Sequence, residues 1–84
     1  MSSKDFTYVY HLRSKTHPQQ IYTGYTSNLE QRLKDHNRGH VPHTAQFAPW
    51  HIEVAVAFQD RKKAQAFEKY LKSGSGREFA RRHF

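Results

Sequence analysis

No cysteine occurs anywhere in this chain of 84 residues. That absence constrains the fold more than any residue that is present. No disulfide can staple the chain, and no thiolate can hold a structural metal. A domain of this size buries only a modest share of its surface, so it must fold around one core made by periodic apolar faces. The sequence shows no internal repeat, no low-complexity tract and no linker, and it reads as a single domain over 1–84.

The periodic stretches supply the skeleton. "FTYVYHLR" (6–13) is aromatic and β-branched and predicts a strand. Phe6, Tyr8, Tyr10 and Leu12 share one face of it, with Thr7, Val9, His11 and Arg13 on the other. "SKTHPQQ" is a polar loop whose Pro18 would interrupt a central strand. "IYTGY" then reads as a second strand, antiparallel to the first, with Gly24 marking a bend or a close backbone approach. Ser27 and Glu30 form an S-x-x-E capping box for a first helix, and Gly39 stands where a helix-terminating glycine belongs.

Residues 40–50, "HVPHTAQFAPW", hold two prolines and read as a loop. "HIEVAVAF" (51–58) predicts a third strand with Ile52, Val54, Val56 and Phe58 on one face. Asp60 can cap a second helix over 61–72, with Ala64, Phe67 and Leu71 as its apolar positions. "SGSG" ends that helix, and Ser75 with Glu78 repeats the capping box at the start of a short basic helix, "REFARRHF". The predicted class is α+β, an α/β sandwich. Its small, mainly antiparallel three-stranded sheet is flanked by helices in the order β-β-α-β-α-α.

Charge narrows the function. Lys and Arg number 14 against 7 acidic residues, a formal net charge of +7. That balance suits a polyanion, either nucleic acid or an anionic membrane surface. A membrane-surface helix would need a large apolar face with aromatic anchors beside its bases, and no segment has one. No apolar run is long enough to span a bilayer, and no secretory h-region follows Met1. The expectation is a cytoplasmic protein with a nucleic-acid partner and no membrane.

Several residue types are then out of place for mere folding. At about 100° per residue, Arg32 and His36 lie on the same side of the first helix as Leu29 and Leu33. An arginine there either lines a cavity or lays its stem on the core with its head in water. Glu68 borders the Ala64, Phe67, Leu71 face, where it can reach a pocket or pair with Lys72 one turn on. Tyr10 and Tyr22 fall on adjacent strands. Phosphodiester hydrolysis asks for a base, a cation on the phosphate and often a metal at the leaving oxygen. Tyr, Arg and Glu meet those needs, the last by holding a hard divalent cation.

"YVY" (8–10), "YTGYTSNLEQRLKDH" (22–36) and "EKYLKSGSGREF" (68–79) together resemble a GIY-YIG nuclease domain. The likeness covers the chain from about residue 6 to its end. It is nearest the short stand-alone bacterial members related to the catalytic domain of the excision-repair incision subunit. The resemblance implies a metal-dependent endonuclease acting on DNA in repair or recombination, structure-selective or weakly selective, with RNA left open. It places the two motif tyrosines at Tyr10 and Tyr22, with Gly24 closing the second motif. Tyr10 is the expected base, and Tyr22 orients water or phosphate. Arg32 becomes the phosphate clamp and His36 a proton carrier or phosphate ligand. Glu68 becomes the sole protein ligand of one divalent cation, Mg²⁺ or Mn²⁺. Tyr8, Val9 and Thr23 depart from the motif letters, and "ARRH" lacks the asparagine that many members carry beyond the glutamate.

Other features fit around that reading. Arg77, Arg81 and Arg82, with Lys69 and Lys72 near, form a basic stripe suited to a DNA backbone, and Gly24 and Tyr25 flank the phosphate site. "KSGSG" is a phosphate cradle or a plain turn. Trp50 and Phe47 stack a base or anchor the third strand. His36, His40 and His43 raise a zinc site that no cysteine or carboxylate pair completes. Two other functions compete with cleavage. One is a non-catalytic nucleic-acid-binding module; the other is an accessory subunit active only with a protein partner.

Overall fold

The computed structural model describes residues 6–84. Strands β1 (Thr7–Ser14), β2 (Ile21–Thr26) and β3 (Trp50–Phe58) form one sheet in the order β2-β1-β3, antiparallel throughout. Between β2 and β3 run helices α1 (Leu29–Asn37) and α2 (Pro42–Ala45). After β3 come α3 (Arg61–Leu71) and α4 (Gly74–His83). The central strand β1 is covered on both faces, as its nearly unbroken burial shows. Tyr10 and Leu12 pack with Trp50, Leu29, Leu33 and Ile52 beneath α1 and α2. Val9 packs with Ala64 and Leu71 beneath α3 and α4. Alternation along one strand thus feeds two cores.

Four local expectations are corrected. The cap of α1 is Asn28, whose Oδ1 accepts from the Gln31 amide at 3.1 Å. Ser27 is displaced because Asn28-x-x-Gln31 satisfies the same capping spacing one residue later. The cap of α4 is Ser73, not Ser75, because its hydroxyl oxygen accepts from the Gly76 amide at 3.1 Å. Gly76 is required there, since a Cβ would run into the Tyr70 carbonyl. "KSGSG" is therefore a tight turn between helices. The stretch 40–50 is not all loop: Pro42 starts the single turn of α2, as proline does at a first helical position.

The fourth correction concerns β3. Val56 pairs with Val9 and Val54 with His11, but Ile52 pairs with Leu12, so Glu53 is an extra residue. This β-bulge sends Ile52 to the opposite core from Phe58. Trp50 begins the strand and is an anchor: it is 3 % exposed, and its indole N–H donates to the Thr44 carbonyl at 2.9 Å. The Asn37 side chain holds the end of α1 to it. Its Oδ1 accepts from the Trp50 amide at 2.6 Å, and its Nδ2 donates to the Trp50 carbonyl at 3.2 Å. That clamp fixes the position of His36, the residue before it.

Candidate active site

The edge strand β2 carries the site. A cleft of about 330 Å³ is lined by Tyr22, Gly24, Tyr25, Thr26 and Ser27 from β2 and its turn. Arg32 reaches it from α1, while Arg61 and Glu68 reach it from α3. Helices on opposite faces of the sheet therefore meet around the unpaired edge of β2. Of the four residues that the resemblance joins in one site, the cleft brings together Tyr22, Arg32 and Glu68, with Gly24 and Tyr25 beside them, and not Tyr10. Arg32 is half-buried and lines a cavity rather than lying flat on the core. Glu68 satisfies both of its readings: it lines the cleft and pairs with Lys72 at 2.5 Å.

Behind the cleft lies a buried polar network. The Thr44 hydroxyl donates to the Val41 carbonyl at 3.2 Å. A hydroxyl has one proton to give, so toward His36 Nδ1, 2.8 Å away, it can only accept. His36 therefore carries its proton on Nδ1, and its Nε2 is left as an acceptor for the Tyr10 hydroxyl at 3.2 Å. Both His36 and Tyr10 are almost wholly buried, at 0 % and 1 % exposure. Burial pushes the Tyr10 phenol up to about 12, with Tyr22 and Glu68 adding to it, while Arg32 pulls back by charge and by hydrogen bonding to the phenol. Burial also lowers the His36 pKa, with the Arg32 charge acting the same way and Asp35 opposing. At neutral pH the pair is a neutral imidazole accepting from a neutral phenol.

Gly24 makes this packing possible. It sits opposite Tyr10 in the sheet register, and a Cβ there would lie 2.7 Å from the Tyr10 hydroxyl oxygen. The close approach expected of this glycine is thus a contact with the first motif's tyrosine. Tyr10 does not itself line the cleft; Tyr22 does, its ring centroid 4.7 Å from that of His36.

The basic residues divide. Lys72, Arg77 and Arg81 line a second cavity beneath α4, while Lys69 and Arg82 are exposed and line neither. Arg81 and Arg82 are both tied to Glu78, at 2.5 and 3.0 Å. Among the described residues, no group of three or more His, Asp or Glu comes together to hold an ion. With both nitrogens of His36 already bonded, the three-histidine zinc reading lapses. No helix among the described residues is long and apolar enough to cross a membrane.

Two residues escaped the sequence reading. Arg61 lines the cleft with its guanidinium 5.3 Å from the centre of the Tyr25 ring. Its spacing of seven from Glu68, two helical turns, was the available signal. Thr44, which sets the His36 tautomer, sat in a stretch without periodicity and gave none.

Comparison with known proteins agrees with this geometry. The family model of the GIY-YIG catalytic domain matches residues 6–81. A UPF0213 protein of Clostridium perfringens is 38% identical over 66 residues, covering 77% of this chain and 69% of that relative. A UPF0213 protein of Bacillus licheniformis is 38% identical over 53 residues, 62% of this chain and 55% of its own length. The chain thus spans little more than half of the second relative.

Proposed function

The chain belongs to the GIY-YIG family, and from that premise we propose that it is a metal-dependent endonuclease hydrolysing DNA phosphodiester bonds. The observation that carries this reading is the convergence of Tyr22, Arg32 and Glu68 on one cleft, each from a different element. A binding module would have no need of a carboxylate among its phosphate contacts.

Arg32 and Arg61 are the cations that meet the scissile phosphate, whose oxygens match the planar guanidinium fork. Tyr22 contacts the attacking water and holds it in line with phosphorus. The role of base expected for Tyr10 gives way to positioning, because its hydroxyl is buried beneath Gly24 and already donates to His36. Tyr10 stands behind Arg32 and feels its charge, with His36 and Thr44 fixing the direction of each proton.

Among the described residues Glu68 is the one carboxylate lining the cleft, and its partner Lys72 is more than half exposed, so an incoming cation can take the place of the ammonium beside the carboxylate. A single carboxylate with waters and substrate oxygens is enough for Mg²⁺ or Mn²⁺. Such a cation, when bound, supplies Lewis-acid stabilisation of the leaving oxygen. Placement in DNA repair or recombination belongs to the same proposal.

The test is nicking of supercoiled plasmid with Mg²⁺ or Mn²⁺, wild type beside Glu68→Ala. Metal-dependent nicking that disappears in the variant, with DNA binding retained, supports the reading. Nicking that survives in the variant, or salt-sensitive binding without nicking by wild type, overturns it.

A further inference from the structure

The second cavity is larger than the cleft, at about 570 Å³, and lies against the α3 and α4 face of the sheet. Ile21, Leu71, Ala80 and Phe84 give it an apolar floor. Arg13, Lys72, Arg77 and Arg81 give it a basic rim. Its volume is within the roughly 300–1,000 Å³ of small-molecule sites, which combine an apolar lining with a few placed polar groups.

Three observations say what it accommodates. First, its cations are not equivalent. Arg13 is held by Glu53 at 2.9 and 3.2 Å, Lys72 by Glu68, and Arg81 by Glu78. Arg77 has no carboxylate partner among the described residues, so one guanidinium on the rim is uncompensated. Second, Ile21 is 44 % exposed, one of two large hydrophobics so exposed among the described residues, and it faces this cavity. The wall behind it holds His11, whose buried Nε2 is without a hydrogen-bond partner there and whose ring stands edge-on to Phe84 at 5.0 Å. Third, the cavity and the cleft share a lining residue. Tyr22 lines both, and the Glu68–Lys72 pair has one member in each.

A flat apolar body with one anionic group, adjoining a phosphate site, is a nucleotide. We infer that this cavity is a nucleotide subsite. It takes an unpaired nucleotide next to the scissile phosphate, with the base against Ile21 and Phe84 and the phosphate on Arg77. The inference rests on the nuclease reading and sharpens its substrate class. A base enters the cavity only by leaving the stack, and that costs least where it is already unpaired. Strands with a flap, a bulge or a single-stranded segment at the cut are therefore preferred over continuous duplex.

The experiment needs no cleavage. Deoxyadenosine monophosphate is titrated, without metal, into ¹⁵N-labelled protein, with deoxyadenosine and inorganic phosphate titrated separately. Shifts are expected at the amides of Thr23, Leu71, Arg77 and Ala80, with a Kd of about 1 mM. Deoxyadenosine and phosphate alone should each bind more weakly. Ile21→Glu replaces an exposed side chain, so its spectrum should otherwise superimpose on wild type, while its affinity for the mononucleotide falls about tenfold or more. Shifts confined to Gly24, Ser27 and Arg32, no shifts at all, phosphate binding as tightly as the nucleotide, or unchanged affinity in Ile21→Glu would each overturn the subsite. None of these outcomes bears on whether Glu68→Ala abolishes nicking, so the two readings fail separately.

Discussion

The two faces of the sheet are built from different chemistry, although β1 supplies both. Beneath α3 and α4 the contacts are mostly apolar, His11 against Phe84 being the polar exception. Val9, Ala64 and Leu71 are joined by a run of rings, Phe58 to Phe67 at 5.5 Å, Phe67 to Phe79 at 6.2 Å and Phe79 to Phe84 at 5.6 Å. Beneath α1 and α2 the deepest residues include Tyr10, His36 and Thr44, linked by hydrogen bonds. A buried polar chain is tolerable only when every member is satisfied, and this one ends on a backbone carbonyl. The difference teaches a division of labour in a domain with little stability to spare. One face holds the sheet together by area buried, while the other spends core positions on fixing the groups behind the cleft.

Substitutions on opposite faces should therefore fail differently. Arg32→Ala removes one of the two guanidinium groups proposed to meet the phosphate and leaves only Arg61, reaching the cleft from α3. Its single-turnover cleavage rate should fall by about 10²–10³, the range seen when a charge-stabilising donor is lost. Val9→Ala, one position from Tyr10 but facing the other way, should cost about 2–3 kcal/mol of stability by urea unfolding. The folded fraction should cleave at the wild-type rate. If Val9→Ala lowers the rate without lowering stability, the separation of the faces is wrong.

Tyr22 against Tyr10 sharpens the contrast within the site itself. Tyr22→Phe should lower the single-turnover rate by about 10², because it removes the hydroxyl proposed to contact the attacking water. Tyr10→Phe should lose less, because its hydroxyl stands behind Arg32 and does not line the cleft. Equal losses would return the water-activating role to Tyr10.

Much of this division was legible in the residues. Alternation in 6–13 separated Tyr10 from Val9, helical spacing put Arg32 and His36 beside Leu29 and Leu33, and Gly24 announced a bend or a close approach, of which the structure shows the second. What stayed hidden was tertiary or degenerate. Two residues in succession, Ser27 and Asn28, each meet the capping pattern, and only packing decides between them; Ser73 and Ser75 repeat the problem. The bulge at Glu53 turns Ile52 over, yet the strand's alternation reads straight through it. Thr44 matters because of a histidine eight residues earlier, across a turn that no periodicity marks. Arg61 was readable from its spacing to Glu68, but a basic residue in a basic chain carries little contrast.

Thr44→Val tests the hidden part. It keeps the shape of the side chain and removes the acceptor that holds the proton on His36 Nδ1. Groups that orient a functional histidine are worth about 10–100-fold in activity, and the lower end is expected for a residue acting through two others. The telling readout is the imidazole ¹⁵N spectrum. Wild type should show protonated Nδ1 alone, and Thr44→Val a mixture of tautomers. A single tautomer in both proteins would leave Thr44 as packing.

The smallest effect concerns pH, and its sign follows from burial. His36 and His11 both have folded-state pKa values below that of a free histidine, with desolvation the main cause in each. The charges around His36 are Arg32 and Asp35, and those around His11 are Arg13 and Glu53, so each has one neighbour of either sign. A group whose folded pKa is lowered binds fewer protons folded than unfolded. Stability is therefore unaffected well above the free-histidine pKa of about 6.5 and falls as pH drops through and below it. The carboxylates with shifted values, Asp35 and Glu78, are lowered from an already acidic range and stay ionised over that window. Urea unfolding at successive pH values from neutral to mildly acidic should show a decline that His36→Asn reduces but does not abolish, since His11 remains. A flat profile in wild type would mean that the imidazole on the polar face is not held neutral, and the Tyr10 hydroxyl would then have no acceptor there.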